Sequence, residues 1–224
     1  MILAAARAGA DVVIHHGNSP IQAEAAREEV LALGCQANVL QADLSDPIQA
    51  ASLVERAWEF GPLFGLVNNA AIFEPLHWDQ VSLAAWQQHL DVNLTAPFLL
   101  SQAFARKLRA SHPEGQGRII NILDWRALRP GPDHLPYTIS KAALAALTRS
   151  LAQSLAPHIT VNGMALGAIL PPSDGAVNPH LLDDYPAGRW AELDEVGQTL
   201  RFLLEGPGYI TGEIIHLDGG RHLV

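Results

Sequence analysis

A doubly wound α/β domain on a mostly parallel sheet is the fold this sequence predicts, and three observations predict it. Short apolar runs alternate along the chain with longer stretches of helical periodicity. The spacer between successive strand candidates is long enough for a crossover, which parallel pairing requires. The strand candidates are short and read as buried, as in a sheet covered on both faces. A length of 224 residues, 49% hydrophobic and 17% charged, suits one domain with a substantial core, and 1–224 is taken as a single domain.

The first strand candidate is 12–14, followed by a helix over 20–33 that Gly34 terminates. A second strand over 37–40 leads to a helix over 46–60, opened by Asp46 as cap and Pro47 at the first helical position. Strand 63–67 precedes a long helix over 82–110, and strand 118–122 precedes a helix over 138–156. Strand 159–162, a helix over 190–205 and strand 214–217 complete the pattern. Residues 167–189, rich in Gly, Pro and Asp, form the longest stretch without periodicity; after a late strand, such a loop is a natural substrate lid.

Charge and cysteine content exclude several classes. A net charge of −9 argues against nucleic acid or an anionic membrane as the main partner. The single Cys35 can form no internal disulfide, which fits a reducing, cytoplasmic setting. No apolar run is long enough for a transmembrane helix, and the opening MILAAA is too short, and lacks the basic flank, for a secretory signal. The ten histidines show neither HExxH nor paired-ligand spacing, so no metal is expected.

Tyr137-Thr-Ile-Ser-Lys141 carries the clearest chemistry. Residues four apart share a helix face, so Lys141 can lie beside Tyr137. A nearby ammonium favours the phenolate and lowers a tyrosine pKa from its usual value near ~10, as general acid–base work requires. Taken alone, the spacing equally describes a surface Tyr and Lys on an ordinary helix. Around it stand Gly117-Arg-Ile-Ile-Asn-Ile-Leu-Asp124, a strand ending in an acid, and Leu66-Val-Asn-Asn-Ala-Ala71, a strand ending in two amides. Asp91-Val-Asn-Leu94 lies within the long helix, Asp43-Leu44 follows a strand, and Tyr209-Ile-Thr-Gly-Glu-Ile-Ile-His-Leu-Asp-Gly-Gly220 ends the chain.

In this order, these segments resemble the short-chain dehydrogenase/reductase family over essentially the whole chain. The resemblance implies a Rossmann-type fold and a homo-oligomer, dimer or tetramer. It assigns Tyr137 as proton donor, Lys141 as the residue that lowers its pKa and holds the nicotinamide ribose, and Asn93 as support for a relay water. Asn69 and Ala70 would line the cofactor, Asp43 and Leu44 would contact adenine, and Gly167 and Ile169 would meet the nicotinamide carboxamide. No acid follows strand 12–14, where NAD-preferring members bind the ribose hydroxyls; His16, Asn18 and Ser19 can instead donate to a 2′-phosphate, which favours NADP (NADPH), although they also suit a plain polar loop.

Two departures from the family matter. Where its catalytic serine stands, this chain has Asp124, and a carboxylate accepts hydrogen bonds where a hydroxyl can donate. An acid there is similar to the pteridine reductase branch, in which Phe73 would stack the pterin ring and Asp124 would bind its nitrogens. Alternatively, Asp124 caps a loop and Phe73 is core. The second departure is at the front: Met1-Ile-Leu-Ala-Ala-Ala-Arg-Ala-Gly-Ala10 looks like the helix that follows the family's first strand and glycine-rich phosphate-binding turn, neither of which is in the sequence. The expectation is a start upstream, a fragment or a degenerate member. The function so read is NADPH-dependent reduction of a pterin or dihydrofolate-like C=N bond. The alternatives are a carbonyl or hydroxyl oxidoreductase such as a 3-oxoacyl reductase, or a non-catalytic member of the family.

Overall fold

Asp46 and Gly34 punctuate the first third of the chain. The computed structural model describes residues 1–170 and 182–224. Helix α1 (Ile2–Arg7) leads to strand β1 (Val12–His16), α2 (Pro20–Ala32), β2 (Ala37–Gln41), α3 (Pro47–Trp58) and β3 (Gly65–Asn68). Gly34, at φ +85°, turns the chain out of α2 in the left-handed region that favours glycine. Asp46 caps α3, its carboxylate accepting from the backbone N–H of Ile48 at 2.8 Å and of Gln49 at 3.4 Å. Asp46→Ala is expected to lower stability by about 1 kcal/mol, read as a lower urea midpoint at unchanged slope.

The second part contains α4 (Leu83–Leu90), α5 (Ala96–Ser111), β4 (Gly117–Asp124), α6 (Leu135–Leu155), β5 (Ile159–Leu166), α7 (Leu193–Glu205) and β6 (Ile214–Leu217). The long helix read over 82–110 is not regular: a π-turn over Asp91–Thr95 joins α4 to α5. Such single-turn insertions concentrate at functional sites. Of the loop read as a lid, residues 171–181 lie outside the described residues.

Among the described residues the strands form two parallel sheets rather than one, β1–β2 and β3–β4–β5–β6. Among the described residues no strand pairs with the second edge of β1 or of β3. β3 is accordingly only partly buried, whereas β4 and β5 are buried over nearly their whole length. Helices hold the sheets together on both faces. α1 packs on β1, α2 and α7, with α7 on β4 and β5; α3 packs on β2 and α5. Gly197 permits the close α1–α7 approach, since a Cβ there would lie 2.9 Å from that of Ala4. Ala42 and Leu44 beyond β2, Ala70 beyond β3, and Leu100, Phe104, Ile119 and Val161 share one core. The C-terminal ends of β2 and β3 therefore lie on the same side, where ligands bind in open parallel sheets.

A buried polar ladder sets the β3–β4 register. Asn68, opposite Asn121 in that register, donates to its Oδ1 at 2.8 Å, and Asn121 donates to Thr148 Oγ1 of α6 at 2.9 Å. A one-residue slip would leave these buried amides without partners, at a cost of about 1–3 kcal/mol each. Among the described residues no helix is long and apolar enough to cross a membrane.

Candidate active site

β4 ends at Asp124 because the chain turns there into a short 3-10 segment, Trp125–Ala127, capped by the same carboxylate: Asp124 Oδ1 accepts from the Arg126 N–H at 2.8 Å. Pro136 occupies the first turn of α6, where its missing N–H is harmless, and this places Tyr137 within the same turn. The Tyr137 hydroxyl donates to Asp124 Oδ2 at 3.1 Å. One turn on, Lys141 is buried; its Nζ donates to the Ile122 carbonyl at 2.7 Å and lies 5.7 Å from the Tyr137 ring centroid.

The electrostatics correct one expectation. Lys141 was assigned to lowering the Tyr137 pKa, but burial, then the charge of Asp124 and its hydrogen bond, raise it instead. The hydroxyl is thus held protonated. Burial lowers the Lys141 pKa to about 8, with Asp124 opposing the shift.

Asn93 sits in the π-turn and is fully buried. Its Oδ1 accepts from the Ile72 N–H at 2.8 Å, and its Nδ2 donates to Ile72 O and to Ser140 Oγ, each at 3.0 Å. Both amide hydrogens are therefore committed, and the side chain fixes the segment that carries Phe73. Phe73 is 53% exposed, so it is not core. One of its faces stacks on His134, with centroids 4.1 Å apart and planes 7° from parallel, and Tyr137 meets it edge-on at 4.7 Å.

Sequence reasoning missed the groups behind Asp124. Arg126 Nη1 lies 3.5 Å from Asp124 Oδ1, and its Nη2 donates to Asp133 Oδ2 at 3.1 Å. Asp133 Oδ2 is also 3.0 Å from His134 Nδ1. A basic residue two positions after Asp124 was the available signal, but its pairing depends on the turn.

The remaining assigned residues lie along the strand ends. His16 closes β1, and its Nδ1 is buried without a partner among the described residues. Asn18 and Ser19 are exposed between β1 and α2, and Ser19 makes no side-chain cap bond. Asp43 is exposed beyond β2, and hydrogen bonds from Ser45 hold its carboxyl below the usual range; Leu44 is buried under it. Asn69 and Ala70 follow β3 directly. Gly167 donates to the Leu217 carbonyl at 3.0 Å, and a Cβ there would sit 2.6 Å from Asp218 Cα, so only glycine fits. Ile169 packs against the core beneath α7. Tyr137, Asp124, Lys141 and Phe73 thus form one cluster, and His16, Asn18, Ser19 and Asp43 stand at the ends of the β1–β2 sheet. Among the described residues no group of acidic, His or Cys side chains could hold a metal ion.

Residues 2–222 match the family model described as enoyl-(acyl carrier protein) reductase. The chain is 32% identical over 223 residues to a 3-oxoacyl-[acyl-carrier-protein] reductase of Synechocystis sp., covering 97% of this chain and 89% of that protein. It is 34% identical to a 2-dehydro-3-deoxy-D-gluconate 5-dehydrogenase of Dickeya dadantii, covering 98% and 88%. Among solved structures it resembles FolM alternative dihydrofolate reductase 1 from Brucella canis, complexed with NADP, at 37% identity and a TM-score of 0.90, over 100% of this chain and 88% of that one.

Proposed function

The chain belongs to the short-chain dehydrogenase/reductase family, and from that premise we propose that it is an NADPH-dependent reductase of a pterin or dihydrofolate-like C=N bond. One observation carries the reading: the side chain that ends β4 beside Tyr137 is the carboxylate of Asp124, flanked by Arg126. A carboxylate can accept from substrate N–H groups, whereas a carbonyl oxygen would need a donor at that position. The exposed part of Phe73, beside Tyr137, supports stacking of a flat ring. The likeness to the NADP-bound FolM protein adds support.

The residues present fit both ends of NADPH. Tyr137 and Lys141 would hold the nicotinamide ribose, with Gly167 and Ile169 at the carboxamide and Asn69 and Ala70 lining the path between the ends. Asp43 and Leu44 would meet adenine, and the unpartnered His16 Nδ1, with Asn18 and Ser19, would meet the 2′-phosphate. When bound, the cofactor supplies the hydride.

Substrate N–H groups bond the remaining acceptor capacity of Asp124, which draws charge from it and frees the Tyr137 hydroxyl. Tyr137 then gives its proton to the ring nitrogen as the adjacent carbon takes the hydride, so C=N becomes CH–NH. The ammonium of Lys141 stabilises the phenolate left behind. Asn93 fixes the Phe73 segment and would support the relay water that returns the proton. The small-molecule pterin is the partner proposed, in a homo-oligomer.

A carbonyl reductase is the second reading, favoured by the identity to the Synechocystis protein. NADPH consumption with dihydrobiopterin, dihydrofolate and an acetoacetyl thioester separates the two, and turnover of none of them favours a non-catalytic member. Asp124→Ser sharpens the test. Hydrogen bonds to a charged group are worth about 1.5–3 kcal/mol, so kcat/KM for the pterin is expected to fall roughly 10–150-fold while weak carbonyl reduction emerges. Unchanged pterin kinetics would make Asp124 a loop cap and favour carbonyl reduction.

A further inference from the structure

Tyr185 lies ahead of α7, and neither the sequence motifs nor the mechanism uses it. Its backbone N–H donates to the Leu182 carbonyl at 2.9 Å, and its own carbonyl accepts from the Gly188 N–H at 2.8 Å. The C-terminal tail holds this turn in place. The Ala187 N–H donates to the Gly219 carbonyl at 2.9 Å, and Arg221 Nη2 donates to Asp184 Oδ2 at 3.2 Å. Gly219, at φ +60°, makes room for the turn: a Cβ there would lie 3.0 Å from that of Ala187 and 3.6 Å from Tyr185 Cδ1. The Arg221 guanidinium lies 5.8 Å from the Tyr185 ring centroid and 4.6 Å from that of Trp125, the residue next to Asp124. The ring also borders a cavity of about 310 Å³ together with Ala168, which stands between Gly167 and Ile169. Tyr185 is thus placed between the candidate carboxamide contacts and the turn that carries Asp124.

The residue is 8% exposed, yet its hydroxyl makes no hydrogen bond among the described residues and is not sealed from solvent. Its neighbours are already engaged: the Tyr137 hydroxyl donates to Asp124, Arg126 Nη1 faces Asp124, and Arg126 Nη2 donates to Asp133. The charges of Arg126 and Asp124 both reach Tyr185. Burial raises its pKa, Arg126 opposes that shift and Asp124 adds to it, so the hydroxyl stays protonated. A neutral phenol there is an uncommitted donor beside an acceptor carboxylate.

We propose that Tyr185 is a specificity-determining residue whose hydroxyl donates a hydrogen bond to a substrate oxygen while Asp124 accepts from a neighbouring substrate N–H, so that the site selects rings carrying an N–H beside a carbonyl. The ring-edge clause rests on the pterin reading; the bond from Tyr185 to a substrate oxygen does not. That oxygen is not the atom Tyr137 protonates, so the bond is made alike in the ground state and the transition state and acts on KM rather than kcat.

Tyr185→Phe tests this, because it deletes one oxygen that has no protein partner. The urea midpoint is expected to stay at the wild-type value, whereas a merely structural hydroxyl would lower it. KM for dihydrobiopterin or dihydrofolate, measured at saturating NADPH, is expected to rise about 2–10-fold, the worth of one neutral hydrogen bond, with kcat changed by less than about twofold. A KM within about 1.5-fold of wild type, or a lowered urea midpoint, overturns the proposal. Turnover of the acetoacetyl thioester alone rejects the pterin reading; the same comparison then applies to that substrate's oxygens, with the same outcomes deciding. A second measurement needs no turnover. The chain has three tyrosines, so protein made with 3-fluorotyrosine gives three 19F signals, that of Tyr185 being the one lost in Tyr185→Phe. On addition of NADPH with each of the three compounds in turn, the Tyr185 signal is expected to shift with the one that binds, while that of the fully exposed Tyr209 stays fixed. A Tyr185 signal that moves with none of them overturns the proposal, and one that moves without turnover retains the Tyr185 contact while rejecting the reductase reading.

Discussion

Tyr137→Phe is expected to lower turnover by about 10²–10⁴-fold, the usual contribution of a positioned general acid. The substitution removes a single oxygen. The ring remains in its edge-on contact with Phe73 at 4.7 Å, and the ring–ammonium approach of Lys141 at 5.7 Å is retained, so little binding surface is lost. NADPH affinity should therefore change by less than about threefold, below 1 kcal/mol. What disappears is the proton that burial and Asp124 hold on the hydroxyl. Without it, the nitrogen that takes up the C=N π pair as the adjacent carbon receives hydride must draw its proton from water, which the buried site admits poorly. Steady-state loss of NADPH absorbance with the most active substrate, alongside a cofactor titration, checks both halves. Wild-type kcat in Tyr137→Phe would remove Tyr137 from the chemistry.

Much of this arrangement was legible in the residues, for identifiable reasons. The Asp46-Pro47 pair and Gly34 act through local geometry, and each ends or begins a helix where it was read. The order of strands and helices followed from apolar runs separated by crossover-length segments. Strand β4 runs to Asp124, two residues beyond the apolar stretch read as 118–122, because ladder hydrogen bonds with β5 continue through the polar end. Helix α6 starts at Leu135 rather than 138, since proline at its first turn is compatible with helix.

Other features were not legible. The π-turn at Asn93 inserts one residue into a helix without disturbing its apolar face, so periodicity cannot report it. The Arg126–Asp133 pair depends on the path of the turn between β4 and α6, and residue types seven apart do not encode that path. The direction of the Tyr137 shift was misjudged for a related reason: spacing placed Lys141 beside the ring but could not show that Asp124 accepts the hydroxyl hydrogen while Lys141 turns to Ile122.

The division of the strands into two sheets leads to the other large expected effect. The 224-residue chain, expressed alone, is expected to bind NADPH about 10²–10⁴-fold more weakly than the same chain carrying a strand and glycine-rich turn ahead of Met1, since loss of two charge-assisted hydrogen bonds of about 1.5–3 kcal/mol each gives that range. Between the ends that Tyr137–Lys141 and His16–Asp43 would hold, the pyrophosphate needs backbone N–H donors, and the described residues contain no glycine-rich turn leading into a helix to supply them. Among the described residues β1 and β3 meanwhile each leave one edge without a strand partner, and His16 Nδ1 and Asn68 Oδ1, in the last residues of those strands, are buried without hydrogen-bond partners there. Unsatisfied buried groups cost about 1–3 kcal/mol apiece against a typical stability of about 5–15 kcal/mol. The added segment should therefore raise thermal stability as well as affinity, and backbone amides of β1 and β3 should become protected from hydrogen exchange. Titration calorimetry with NADPH on the two proteins decides the point. Micromolar binding by the 224-residue chain would mean that a segment already within it supplies the phosphate contacts, and the open edges of β1 and β3 would then have no part in holding the cofactor.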